Sequence, residues 1–235
     1  MIDFGYFLLC LKSAISYIPQ NLLMSLSTLV ICVLLGTVIA LVRVFQVPVL
    51  KQIFQVVMAL CKAFPANLVL LIVYLVVTNN FAAIMGFLHL NISIQDLNMT
   101  VVAIVALVIC CLSGISEVIR GGLMAVDKGQ YEAGEAMGLT WMQIFLHIIV
   151  PQVVRYVVPP LTNSILSLLK ATALVSVIGV MDIMNGALVA ANQSYSYLEA
   201  YIAAALVFWV LGLLLERLSK AVERYFGKSV KALAS

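Results

Sequence analysis

The sequence predicts an all-α integral membrane protein with about five transmembrane helices, its N-terminus outside and its C-terminus in the cytoplasm. Three observations carry this. First, 64% of the 235 residues are hydrophobic and only 10% are charged, with a mean hydropathy of +1.16; a soluble surface needs far more charge. Second, the charges cluster. None lies between Lys12 and Arg43, between Lys62 and Asp96, between Asp96 and Glu117, or between Glu199 and Glu216, and Arg155 to Asp182 holds only Lys170. Third, Lys and Arg alternate between connections, as the positive-inside rule requires.

The elements follow in order. Residues 1–11 lack a basic leader region and run into an apolar stretch longer than a signal peptide, so the segment 1–19 reads as retained. Tyr6, Phe7 and Tyr17 suit residues 2–17 to a headgroup layer, as an interfacial segment. A span needs about 20 mostly apolar residues, which predicts spans near 20–42, 55–78, 99–119, 153–181 and 197–217. The first connection carries Arg43, Lys51 and Lys62, and the third carries Arg120, Lys128 and Arg155. The tail, 218–235 just past Arg217, carries Lys220, Arg224, Lys228 and Lys231. The connections at 79–98 and 183–196 carry no Lys or Arg and hold Asn79, Asn80, Asn91, Asn192, Gln193 and Ser194 instead. The chain is one transmembrane domain over 1–235, without a solenoid repeat.

The loop 121–150 is the polar interruption in this apolar chain, and it predicts a helix, a glycine turn and a second helix. Asp127 with Gln130, and Thr140 with Gln143, have the spacing of an N-cap and its third helical residue. Gly138 stands where a helix end favours positive φ, and Pro151 is expected to end the second helix. Ala133, Gly134 and Ala136 make a small face that another surface can approach, and Glu132 and Glu135 offer anionic contacts. Two readings stand: a hairpin that covers helix ends, or a docking element.

Several chemistries are excluded or unsupported. No phosphate-binding P-loop pattern is present, no Ser/His/Asp arrangement is visible, and His89 and His147 stand apart from carboxylates and cysteines. Cys10, Cys32, Cys61, Cys110 and Cys111 lack metal-ligand spacing and read as small apolar residues. No catalytic residue and no metal site is expected. The net charge of +3 reflects cytoplasmic basic residues and points to no nucleic-acid partner.

Lys170 stands out as a cation roughly 22 Å along a helix from Arg155, a costly depth unless it is paired or hydrated. It either pairs with Asp182, Glu117 or a carboxylate of another subunit, or lines a hydrated path for a substrate carboxylate. Asn163, Ser164, Ser167, Thr172 and Ser176 share its span, and the β-branched tract 171–179, ending at Gly179, suits a broken helix.

The chain resembles the permease subunits of binding-protein-dependent ABC importers of the polar amino-acid type. The stretch Glu132-Ala133-Gly134, Gly138, Ile148-Ile149-Val150-Pro151 resembles that family's Glu-Ala-Ala loop. The runs Ser116 to Gly122, Lys128 to Ala133, Pro151-Gln152, Pro159-Pro160-Leu161 with Asn163, and Leu168 to Val180 extend the likeness. It covers about 18–226 and is most specific over 113–180. Gly134 departs from the third motif alanine; Lys62, Phe64, Ala171, Ala173 and Asp182 also depart from the common residues.

The resemblance implies an ATP-driven importer of polar amino acids in the bacterial inner membrane. Coupling to the ATPase would fall to Gln130, Glu132, Ala133, Gly134, Glu135 and Gly138, between spans three and four. The substrate path would use Asn163, Ser167, Lys170, Thr172 and Ser176. The implied partners are ABC ATPase subunits, a second permease subunit, identical or related, an extracytoplasmic amino-acid-binding protein, the lipid bilayer and a polar amino acid. No cofactor is expected on this chain; ATP and Mg would belong to the ATPase. The alternatives are a self-sufficient secondary transporter or channel, and a membrane scaffold without transport. No acidic residue stands near mid-membrane, which favours a zwitterionic or anionic substrate such as glutamine, cystine or glutamate over a cationic one.

Overall fold

A computed structural model describes residues 3–89, 91, 93–192 and 194–231, with the side chains of 223 and 225–231 outside the description. Ile2, Gln193 and residues 232–235, assigned above to the N-terminal segment, an outer loop and the tail, lie outside the described residues. All regular structure among the described residues is helical. Among the described residues four helices are long and apolar enough to cross a membrane, or five if one bent pair counts as a span.

Helix α1 (Phe4–Ser16) starts at Asp3, whose Oδ1 accepts from the Gly5 N–H at 2.8 Å. It ends at Tyr17, and α2 (Ile18–Val44) follows with Pro19 in its first turn, where no N–H is needed. The expected interfacial segment is therefore a helix with one packed side. Cys10 and Ala14 are fully buried against the short helix α10 and the last helix α11, both defined below. Ser13 Oγ donates to the Gly186 carbonyl at 2.7 Å, and the Tyr17 ring lies where a Cβ on Gly186 would stand.

The expected span near 55–78 is not one straight helix. Helices α3 (Leu50–Ala63) and α4 (Ala66–Asn79) meet at 107°. Pro65 disfavours helical geometry in the residue before it, and Phe64 is extended, with φ −92° and ψ 138°. After α5 (Phe81–Phe87) and a single tight turn at Ile94–Asp96, helix α6 (Met99–Met124) runs through the middle of the molecule. The Cys32 thiol donates to the Val108 carbonyl at 3.7 Å, and the Ser113 hydroxyl to the Met58 carbonyl at 3.2 Å, so polar contacts supplement apolar packing of α2 and α3 on α6.

The loop helix α7 (Lys128–Ala136) leads to α8 (Trp141–Ile144), a widened turn at Phe145–Ile149, and α9 (Val150–Ala171). The expectation that Pro151 ends a helix is corrected. The path from Trp141 to Ile178 is continuous, and Val150 N–H reaches back to the Phe145 carbonyl across the widened turn. Pro151 then falls in the first turn of α9, where its missing N–H breaks no bond. Helix α9 tightens into 3-10 turns at Thr172–Ile178 and stops at Gly179, which has φ +77°. The predicted fourth span is broken there, as the β-branched tract suggested. Helix α10 (Ile183–Ala191) and helix α11 (Tyr197–Lys231) complete the fold.

Candidate functional site

The loop between α6 and α9 is built by the expected signals. Asp127 Oδ1 accepts from Gly129 N–H at 3.0 Å and starts α7. Gly138 has φ +75° and turns the chain. Thr140 and Gln143 form a reciprocal capping box that starts α8. Glu132, Ala133, Glu135 and Ala136 are exposed, so α7 presents a small-residue and acidic face outward.

Gly134 is different. It is buried, and a Cβ there would stand 2.7 Å from Ile144 Cγ1 and 3.0 Å from its Cδ1. The close approach that the small face allows is used at this position by the chain's own α8. Half-buried Tyr131 and Leu139 complete the seat, packed on the cluster of Val126, Ile144, Ile149 and Val153. Burial pushes the Tyr131 phenol above its ordinary range. The loop is thereby fixed to the membrane-crossing part of the chain.

Sequence reasoning did not find three further contacts. Gln152 in α9 donates to Gln130 Oε1 in α7 at 3.2 Å, a direct link from loop to span. Glu117 bridges Arg43 of α2 at 2.6 Å and Arg120 at 2.8 Å, holding the ends of α2 and α6 together. From sequence the two arginines orient the chain and Glu117 is offered as a partner for Lys170; the arginines take it instead. Phe45, Trp141 and Phe145 form a ring cluster, with Trp141 and Phe145 stacked at 5.1 Å.

On α9, Asn163, Ser167 and Lys170 are all exposed. Their spacing of four and three places them on one helical line, which Tyr156 and Gln152 continue downward. From Gln152 to Lys170 the line runs about 27 Å, most of the hydrocarbon thickness. Among the described residues Lys170 makes no ion pair. Glu117 is taken by arginines, and Asp182 is fully buried, capping α10 through Asn185 N–H at 2.7 Å.

Thr172 is off this line. It is fully buried, and its hydroxyl lies against Asn21. Ser176 is half-buried, with its hydroxyl on the Ala173 carbonyl at 2.8 Å. The structure thus brings together three of the five path residues named from sequence. No group of three or more metal-ligating side chains occurs among the described residues.

An all-helical chain with four or five apolar spans, a capped helical hairpin between two of them, and a polar line down one span has the make-up of a membrane transport component. The chain belongs to the family of binding-protein-dependent transport system inner membrane components, which it matches over residues 32–228. It is a multi-pass protein of the bacterial inner membrane. It is 28% identical over 227 residues, 97% of each chain, to a probable amino-acid ABC transporter permease protein, PatM, of Vibrio harveyi. It is 30% identical over 214 residues to the L-cystine transport system permease protein TcyL of Bacillus subtilis (strain 168), covering 91% of this chain and 87% of that one. Its fold matches the crystal structure of an amino acid ABC transporter with histidines, at a TM-score of 0.80 and 28% identity over 96% of this chain and 99% of that chain. The inward-facing MetNI methionine ABC transporter shares the fold, at a TM-score of 0.68 and 16% identity.

Proposed function

We propose that this chain is half of the translocation pathway of an ATP-driven importer of polar amino acids, with zwitterionic or anionic substrates preferred. The exposed polar line Asn163–Ser167–Lys170 on α9 is the observation that carries the reading. Facing the same line on a second permease subunit, it encloses a hydrated path, and Lys170 attracts a substrate carboxylate. ATPase subunits dock from the cytoplasm on α7 through Gln130, Glu132, Ala133 and Glu135. Gly134 and Gly138 act from within by setting the shape of the loop. An extracytoplasmic binding protein delivers substrate at the loops near 79–98 and 183–196. ATP and Mg belong to the ATPase. Closure of the ATPases moves α7, and α9 follows because Ile144, Ile149 and Gln152 join the two. The result is rocking between two packed states.

Relatives named for amino-acid transport support the substrate class. The test is competition for ATP-dependent uptake in proteoliposomes holding the permease, its ATPase and its binding protein. Glutamine, cystine or glutamate competes best, and Lys170→Met lowers uptake without loss of the complex. Arginine or lysine as best competitor, with Lys170→Met unchanged, refutes both the preference and the role of Lys170.

A further inference from the structure

A buried polar contact joins the two places where the long helices break. Asn21 lies in the first turns of α2, just past the break at Tyr17, and Thr172 opens the 3-10 tract after α9. Both are fully buried, beside the apolar cluster that holds Met24, Val175 and Ile178. Thr172 Oγ1 lies 2.6 Å from Asn21 Oδ1 and 2.6 Å from the Leu169 carbonyl. A hydroxyl has one proton and cannot donate to both acceptors. Meanwhile Asn21 Nδ2 is buried and has no hydrogen-bond partner among the described residues.

A half-turn of the Asn21 amide ends the double donation and pairs the amide nitrogen, leaving the amide oxygen in the other buried position. Its nitrogen then donates to Thr172 Oγ1, and the Thr172 hydroxyl donates to the Leu169 carbonyl. The result is a directed chain from α2, through a side chain at the break, to the last turn of α9. Lys170 lies two residues before Thr172, about 200° around the helix. The contact therefore holds the back of the turn whose front carries Lys170. In lipid, an apolar pair fills such a place without the cost of burying an amide and a hydroxyl.

We propose that Asn21 and Thr172 are positioning residues for transport: a two-residue clamp that fixes the end of α9 to α2 and so sets where Ser167 and Lys170 stand in the path. The inference rests on the proposed role of the α9 line. Thr172, which the family likeness suggested as a path residue, acts here from behind the path.

The test uses the full complex, with its ATPase and binding protein, in proteoliposomes supplied with a radiolabelled amino-acid mixture. Thr172→Val leaves the Asn21 amide buried and unpaired and lowers the melting temperature, whereas in Asn21→Leu the Thr172 hydroxyl keeps the Leu169 carbonyl and the melting temperature falls less. The double variant leaves neither group and melts near the parent, because removing both partners removes the unpaired group. A clamp that only stabilises is then dispensable, and the double variant transports normally. A clamp that positions is not, and uptake per ATP hydrolysed falls about tenfold in the double variant, the effect of a hydrogen bond of one to two kcal/mol between membrane helices. Thr172→Ser keeps the hydroxyl and keeps parental uptake. Parental uptake per ATP in the double variant overturns the clamp, as does a Thr172→Val variant that melts like the parent. The unsubstituted complex separates the two readings: ATP-dependent uptake there with an unaffected double variant refutes the clamp alone, whereas no ATP-dependent uptake there refutes the importer reading and the clamp with it.

Discussion

Gly134→Ala tests whether α7 and α8 are one rigid unit. The added Cβ would sit 2.7 Å from Ile144 Cγ1, 3.0 Å from Cδ1 and 3.4 Å from Cγ2. Carbon atoms attract best at about 3.5–4.0 Å, so the two helices must separate by several tenths of an ångström. Ile144 cannot yield, because it is 1% exposed and packed into the cluster beneath the loop. Overpacking of this kind costs about 1–3 kcal/mol, or roughly 2–12 °C in melting temperature at about 2–4 °C per kcal/mol for a chain of this size. Ile144→Val keeps both γ carbons and gives little relief. Ile144→Ala removes the γ and δ carbons and leaves a cavity, at a cost of about 2–5 kcal/mol alone. The double variant Gly134→Ala with Ile144→Ala puts a methyl group into that cavity, so its loss is smaller than the sum of the two single losses by about 1–2 kcal/mol. The assay is thermal unfolding of the purified complex in detergent, with ATP-dependent uptake measured on the same variants. Additive losses, or a Gly134→Ala variant that melts like the parent, refute the claim that Gly134 serves the internal contact.

Gly138→Val forces a β-branched residue to φ +75°, at a local cost of about 1–2 kcal/mol or more; uptake is abolished while the protein stays in the membrane, and normal uptake shows the loop to be a mere linker. Glu117→Gln removes the negative charge and one of the two oxygens that hold two arginines, one of them with a side chain 15% exposed, and lowers stability by about 1–3 kcal/mol; an unchanged melting curve refutes a structural role for the triad. Asp182→Asn gives a pH test. Burial raises the Asp182 carboxyl from 3.8 to about 6, against three backbone N–H groups that favour ionisation. The folded protein therefore holds that proton more tightly than the unfolded chain, and stability falls as pH rises from about 4 to about 6. Asparagine keeps the cap on Asn185 and cannot ionise, so the variant gains over the parent by about 2–3 kcal/mol at neutral pH, with the gain shrinking toward pH 4. A pH-independent difference in melting temperature between variant and parent contradicts this.

The loop was the most legible part of the sequence because its signals are local. Asp127, Gly138 and the Thr140–Gln143 pair act within four residues of themselves, and each acts in the structure as its chemistry requires. Spans were legible as lengths of apolar chain, since lipid forces helix on any such stretch. Their breaks were less so. Pro65 bends one span by 107° while Pro151 bends nothing of the kind, although both are prolines in apolar helix. The difference lies in what precedes each: an extended Phe64 in one case, and in the other a widened turn that leaves Pro151 in a position without a needed donor.

Composition, charge spacing and helix-capping chemistry were enough to determine a multi-spanning helical membrane protein with a helical loop between its third and fourth spans. They also put Asn163, Ser167, Lys170, Thr172 and Ser176 on one span, without separating the exposed line from the inward-facing Thr172. Which partner each side chain meets is decided by residues far away in sequence. Gly134 is filled by Ile144, Glu117 is drawn to Arg43 across 74 positions, and Thr172 turns inward to Asn21 across 151. A fixed helical period says which way a side chain points relative to its neighbours; only the packing of one helix on another says whether that direction is lipid, a water-filled path or the middle of the protein.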